Sequence, residues 1–236
     1  MSDDRPKHIQ IAADLRAQIM AGTLAPGEAI PSTRALQQRY GASGTAIANA
    51  VGILKAEGWV LGQQGKAVTV RDAQMVVVSE SAYFEPSPGG YSYKLLGVEE
   101  GEPPKDVARA LSLESGEGAV LRQRLTLRAG VPVEVCWSYY PLSIAAGTPL
   151  INRTKIRGGA PAVLAQAGFP ERRLVDRVSS RMPTPEEVEH LDIPDGVSVL
   201  RQFRVIYSDS GRPVEVSIIV KPGHLYELEY ERTIEQ

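Results

Sequence analysis

The chain has 236 residues, 43% of them hydrophobic and 23% charged, and a formal net charge of −2, the balance of one ordinary folded domain or two small ones. A single cysteine, Cys136, and three scattered histidines, His8, His190 and His224, exclude an internal disulfide framework and offer no metal-ligand spacing. Charge is uneven along the chain: the first 73 residues carry eight basic and six acidic side chains, the remainder 18 and 22, so an anionic partner such as nucleic acid is expected at the front.

Residues 1–4, Met1-Ser2-Asp3-Asp4, lack the basic and apolar segments of a signal peptide, and no apolar run approaches the length of a membrane span, so a cytoplasmic location is expected. Residues 6–20 place Ile11, Ala12, Leu15 and Ile19 on one helical face, with Gly22 ending the helix and Pro26-Gly27 marking a turn. Ser32 is suited to cap a second helix whose apolar stripe is Ala35, Leu36 and Tyr40. After Gly41, Ser43 is suited to cap a third, in which Ile47, Ala50, Val51 and Leu54 recur with helical spacing. Gly58 stops that helix. Residues 59–61 and 67–70 then read as a short hairpin around the polar tip 62–66.

Two short helices joined at Gly41-Ala42 and followed by a hairpin outline a winged helix-turn-helix. The second helix of such a pair enters the major groove with its N-terminal residues nearest the bases. Its start here, Ser43-Gly44-Thr45, is small and polar and presents N–H groups suited to phosphate. The wing tip, with Gly65 beside Lys66, is suited to a minor groove or a phosphate. A protein-interaction module built on the same three helices is the other reading.

The residues Ile11-Ala-Ala-Asp-Leu15, Gly22-Thr-Leu-Ala-Pro-Gly-Glu28, Pro31-Ser-Thr-Arg-Ala-Leu36, Arg39-Tyr-Gly41, Ser43 and Glu57-Gly58 closely resemble the gluconate-repressor (GntR) family of transcription regulators. The resemblance implies DNA contacts from Ser32, Arg34, Ser43, Thr45 and Asn49, and from Gln64, Gly65 and Lys66 in the wing. Gly44 and Ala48 stand where the family commonly has arginine, and Ala46 where threonine is common. An arginine–guanine pair is worth about 1–3 kcal/mol of base discrimination, so the operator is expected to be unusual, or DNA binding weakened.

Residues 72–75 read as a connector, Val76-Val-Val78 as the first strand of a second domain, and residues 85–90 as a loop. A repeat follows. A helical run at 103–111, Gly116, Val120-Leu-Arg-Gln123 and Gly130-Val-Pro-Val-Glu-Val135 recur as 185–191, Gly196, Val199-Leu-Arg-Gln202 and Gly211-Arg-Pro-Val-Glu-Val216. Thr184, Pro185 and Glu187 form a capping-box sequence at the second helix. Two such units are expected to share an antiparallel sheet with flanking helices and a cleft between the halves. In residues 121–127, Leu121, Gln123, Leu125 and Leu127 share one face, and Arg122, Arg124 and Thr126 the other. Glu134 and Glu215 likewise alternate with valines. These charges are read either as cross-strand ion pairs or as a polar cleft for a metabolite.

The second half resembles the UTRA sensor domain of the HutC subgroup, which shares its fold with chorismate lyase, through Arg124, Pro132-Val-Glu-Val135, Tyr139-Tyr-Pro141, Gly168 and Gly211-Arg-Pro-Val-Glu-Val-Ser217. The expected architecture is therefore α+β: a winged helix-turn-helix over 1–73, then a chorismate-lyase-like UTRA domain over 74–236 that binds an effector and forms a dimer, with 74–90 as linker. The implied effector positions are Arg122, Arg124, Thr126, Glu134, Cys136, Ala160, Glu215, Ser217 and Lys221. Thr126 stands where sugar-phosphate-binding relatives have a second arginine, Cys136 where they have an acid, Ala160 where they have serine, and Lys221 where they have an aromatic residue. That points to an effector other than a phosphosugar. The resemblance implies a homodimeric repressor on a pseudo-palindromic operator, with no cofactor and no metal. A degenerate regulator and a lyase-like enzyme are the alternatives. No nucleophile–base pair favours the enzyme, and fold alone does not carry activity.

Overall fold

Helix α1 (Lys7–Met20) buries Ile11, Ala12 and Leu15 against α2 (Thr33–Tyr40) and α3 (Gly44–Ala56). The computed structural model describes residues 4–62, 67–71, 76–79, 91–193 and 196–229. The helix turns are set locally. Ser32 Oγ accepts from Ala35 N at 3.3 Å and Ser43 Oγ from Ala46 N at 3.2 Å, while Gly41 closes α2 in the left-handed region at φ 58°. Strands β1 (Val60–Leu61) and β2 (Thr69–Val70) pair antiparallel, and Ala29 bridges Thr69. Within α2, Leu36 is buried and Tyr40 half-buried, but Ala35 is exposed, contrary to the expected stripe. The Tyr40 hydroxyl instead donates to Asp14 at 2.5 Å, tying α2 to α1. Arg16 grips Glu57 with two nitrogens, at 2.5–2.8 Å, and ties α1 to the end of α3.

The second half is one six-stranded antiparallel sheet built from β4 (Tyr91–Gly101), β5 (Ala119–Arg128), β6 (Val131–Pro141), β7 (Arg173–Arg181), β8 (Val199–Tyr207) and β9 (Pro213–Pro222). Their order, β4-β5-β6-β9-β8-β7, is two copies of a strand–helix–hairpin unit joined where β6 pairs with β9. Helix α4 (Lys105–Ala110) belongs to the first copy and α7 (Pro185–Leu191) to the second. Between the copies lie α5 (Leu142–Ala145), a 3₁₀ turn at Pro149–Ile151 and α6 (Gly159–Gln166). Strand β3 (Val76–Ser79) pairs in parallel with the last strand, β10 (Tyr226–Glu229).

Both faces of the sheet are covered. On one, Tyr139, Phe203, Val205 and Val216 pack with Val107 and Leu111 of the α4 region, and Leu125, Val135 and Val220 with Leu191 of α7. On the other, Val120, Tyr140, Ile206 and Val214 pack with α5, Leu150 of the 3₁₀ turn, and Ala160, Val163 and Leu164 of α6. The expected cleft between the halves is replaced by continuous β6–β9 pairing, and the polar row of β5 lies beneath the α6 side of the sheet.

The repeat also differs in phase from its sequence pattern. Val120-Leu-Arg-Gln123 and Val199-Leu-Arg-Gln202 are identical tetrapeptides but not structural equivalents. Arg122 reaches the 3₁₀ turn on one face, whereas Arg201 meets Asp106 of α4 on the other. A one-residue slip reverses every side chain of a strand. Arg124 corresponds to Arg204 instead, on the same face and in the strand next to the central pair.

Candidate functional site

On the first unit, Thr45 and Asn49 lie one turn apart on the exposed side of α3, opposite Ile47, Ala50 and Leu54 in the core. Arg34 is exposed at the start of α2. The hydroxyls of Ser32 and Ser43 accept hydrogen bonds from their own helices, so these residues shape the surface as caps. Ala48 is exposed beside Asn49, and a Cβ added at Gly44 would meet only the Gln37 side chain, at 3.5 Å. Gln64, Gly65 and Lys66 lie outside the described residues.

On the second unit, Arg124, Thr126, Glu134, Cys136, Glu215, Ser217 and Lys221 share the face toward α6. Arg124 Nη2 donates to Ser138 Oγ at 3.0 Å and contacts Cys136 Sγ at 3.4 Å. Ser138 Oγ lies 2.6 Å from Ser217 Oγ, and Ser217 donates to Glu215 at 2.5 Å. Tyr140 also bonds Glu215, and burial with that carboxylate pushes the phenol well above its ordinary pKa. Burial works against the charge on Arg124, but Cys136, Tyr140 and Glu215 around it outweigh the effect and raise its pKa. Beside this chain, Lys221 pairs with Glu134, and Thr126 donates to the same carboxylate at 3.1 Å. Burial alone would raise the pKa of Glu134; Lys221 and Arg124 bring it below the ordinary value.

Two expected positions have other work. The Arg122 guanidinium donates to the carbonyls of Leu150, Asn152 and Thr154 at 2.7–2.8 Å, which fixes the loop before α6 and removes Arg122 from the open site. Ala160 is packed in the core between α6 and the sheet. Conversely, the face includes Ser138, Tyr140, Gln202, Arg204 and Asp176, none of which the sequence reading placed among the effector positions. Arg204 holds Asp176 with Nε and Nη2 at 2.8 and 2.6 Å, and Gln202 donates to the same carboxylate at 2.7 Å. Correct phasing of the repeat would have found Arg204; Asp176 lies on β7, where no alternation marks a strand. Of the two alternatives for the charged face, ion pairs are present on the β8 side and around Lys221, while on the β5 side Arg124 is bonded to Ser138 and Cys136 with no carboxylate directly across from it.

A helix-turn-helix unit joined to a sensor-like sheet defines a DNA-binding regulator with an effector domain. The comparisons agree: residues 8–70 match the bacterial regulatory proteins of the gntR family and residues 89–227 match the UTRA domain. The chain belongs to the GntR-family transcription regulators that carry a UTRA effector-binding domain. It is 26% identical to an HTH-type transcriptional regulator of Streptomyces coelicolor, with 98% of this chain and 94% of the relative covered. It is 25% identical to the HTH-type transcriptional regulator GgaR of Escherichia coli, covering 95% and 90%. Among solved structures, a GntR-family transcriptional regulator superposes with a TM-score of 0.69 at 25% identity, covering 98% and 99%. PhnF from Mycobacterium smegmatis shares the fold at a TM-score of 0.60 and 15% identity, covering 95% and 100%. Among the described residues, no helix is long and apolar enough to cross a membrane.

Proposed function

We propose that the chain is a cytoplasmic, homodimeric repressor of the HutC subgroup, divided into a DNA-binding unit over 1–73 and an effector and dimerisation unit over 74–236. Two copies place their α3 helices about one turn of DNA apart on a pseudo-palindromic operator. Thr45 and Asn49 read base edges, Arg34 and the N-terminus of α3 contact phosphate, and the wing with Gln64, Gly65 and Lys66 adds backbone contacts. A small molecule binds on the Arg124 face, with Thr126, Cys136, Ser217 and Glu215 around it. The chain acts by binding, without turnover. Binding changes DNA affinity only so far as the effector distinguishes the operator-bound from the free arrangement. The observation that carries this reading is the exposed pair Thr45 and Asn49 on a helix capped by Ser43, positioned by α1 and α2.

A mobility-shift assay on the gene's own upstream region, at two salt concentrations and with competitor DNA, tests it. Specific binding survives the competitor, weakens as salt rises, and is lost in Asn49→Ala. Absence of any shift at low salt favours the degenerate regulator that Gly44 and Ala48 suggest.

A further inference from the structure

The internal repeat places an arginine at equivalent points of the two halves, and the two are partnered differently. Arg204 on β8 stands directly across from Asp176 of edge strand β7, which it holds with two nitrogens at 2.8 and 2.6 Å. Arg124 on β5 stands directly across from Leu95 of edge strand β4. Leucine offers it no acceptor. Arg124 Nη2 reaches Ser138 and Cys136, while its Nε and Nη1 make no hydrogen bond to a described residue.

The charges on this face point the same way. Arg204 is paired with Asp176 and Lys221 with Glu134. That leaves Arg122, wrapped by three carbonyls, and Arg124 against the single carboxylate of Glu215. Lys155, over the ring of Tyr93 on the same face, adds a further positive charge, so the face is short of negative charge. The edge strand bulges after Leu95, and a concavity of about 250 Å³ opens there, lined by Leu95, Leu96, Gly97, Val98, Glu99 and Arg153. Leu95, the residue paired with Arg124, is part of this lining, and Arg124 itself is not.

We propose that the effector is a small monocarboxylate whose carboxylate takes on Arg124 the place that Asp176 takes on Arg204, its apolar body lying toward Leu95 and Cys136. This rests on the reading of the Arg124 face as the effector site. Arginine favours such a partner because its planar fork matches a carboxylate.

The substitution Leu95→Asp supplies the missing carboxylate from the chain itself, and Leu95→Asn is its uncharged control. The full-length Asp variant is expected to melt about 2–4 °C above the Asn variant, and the gain vanishes when both carry Arg124→Met. In parallel, sodium propionate or benzoate at tens of millimolar raises the melting temperature of the parent chain more than sodium phosphate or glycerol 3-phosphate at equal ionic strength. Leu95→Asp is expected to abolish that rise. An Asp variant no more stable than the Asn variant, a larger shift with the phosphates, or no shift with either carboxylate overturns the proposal. None of these measurements involves DNA, so their failure is separable from failure of the regulator reading, which the mobility shift decides.

Discussion

Ser138 and Ser217 face each other across the β6–β9 pair, their hydroxyl oxygens 2.6 Å apart, at the seam between the two halves of the sheet. Each continues into its own half: Ser138 accepts from Arg124, and Ser217 donates to Glu215. The cation of one half is thus linked through two buried hydroxyls to the anion of the other. In so enclosed a site, removing one link leaves its partner without water to replace it.

Ser217→Ala withdraws a donor from Glu215, itself only 3% exposed, and is expected to cost about 1.5–3 kcal/mol, the range for hydrogen bonds to charged groups. Ser138→Ala removes one acceptor from an arginine that keeps its remaining donors, at about 1 kcal/mol. Because the two belong to one chain of bonds, the double variant loses less than the sum of the singles. Urea unfolding of the four proteins measures the difference; strict additivity would show that the hydroxyls act separately.

Much of the first unit was legible because its signals are local. Ser32 and Ser43 cap the helices their spacing announces, and Ile47, Ala50 and Leu54 bury as their period requires. The exposed Ala35 was misplaced because a small residue fits either side of a helix. In the second unit, β4 and β7 went unseen: both are edge strands, and on β7 Val175 and Val178 are exposed among arginines, so no clean alternation marks it. Missing β7 hid Asp176. Aligning the two identical tetrapeptides hid the equivalence of Arg124 and Arg204, since a shift of one residue moves a side chain to the other face. That Arg122 binds three carbonyls could not be read at all, because its partners lie 28 to 32 residues away.

The capping box that opens α7 is joined to β7 through charge. Glu187 accepts from Thr184 N at 2.8 Å and from both terminal nitrogens of Arg181, at 2.7 and 2.6 Å. Burial would raise the Glu187 pKa, but Arg181 and Thr184 hold it below the ordinary 4.5. A depressed carboxylate pKa stabilises the fold above the unfolded-state value and loses that contribution as pH falls through the folded value. The melting temperature of the parent is therefore expected to fall more steeply below pH 4.5 than that of Glu187→Gln. At neutral pH, Thr184→Ala costs about 1 kcal/mol through the lost cap. Parallel melting curves for parent and Glu187→Gln in acid would remove Glu187 as a contributor.

His224, in the turn between β9 and β10, lies against the DNA-binding unit. A Cβ added at Gly58, whose φ is +78°, would come within 3.1 Å of the ring, so that glycine serves both its backbone and this contact. Burial, with Arg71 nearby, takes the His224 pKa down from 6.5 to about 4. A base with a lowered folded pKa binds fewer protons folded than unfolded between those values, so its contribution is intact above pH 6.5 and falls as pH drops toward 4. His224→Phe keeps a ring against Gly58 and cannot be protonated. Its melting temperature is expected to vary less than the parent's across that window, and an unchanged slope would place the titration elsewhere.

Gly44 offers the most direct test of how far DNA binding can be strengthened. It is the first residue of α3, beside the cap Ser43, and its backbone does not need glycine. An added Cβ meets only the Gln37 side chain at ordinary contact distance, 3.5 Å. Gly44→Arg should therefore fold as the parent does and place a guanidinium at the end of α3 proposed to enter the groove. If it reaches phosphate, binding tightens and the slope of log affinity against log salt steepens by about 0.9 for each added contact. If it reaches a guanine edge, discrimination at one operator position rises by about 1–3 kcal/mol while the salt slope hardly moves. Titrations at several salt concentrations, on the native site and on single-base variants, separate the two outcomes. Affinity unchanged on every sequence would mean that the start of α3 does not face DNA.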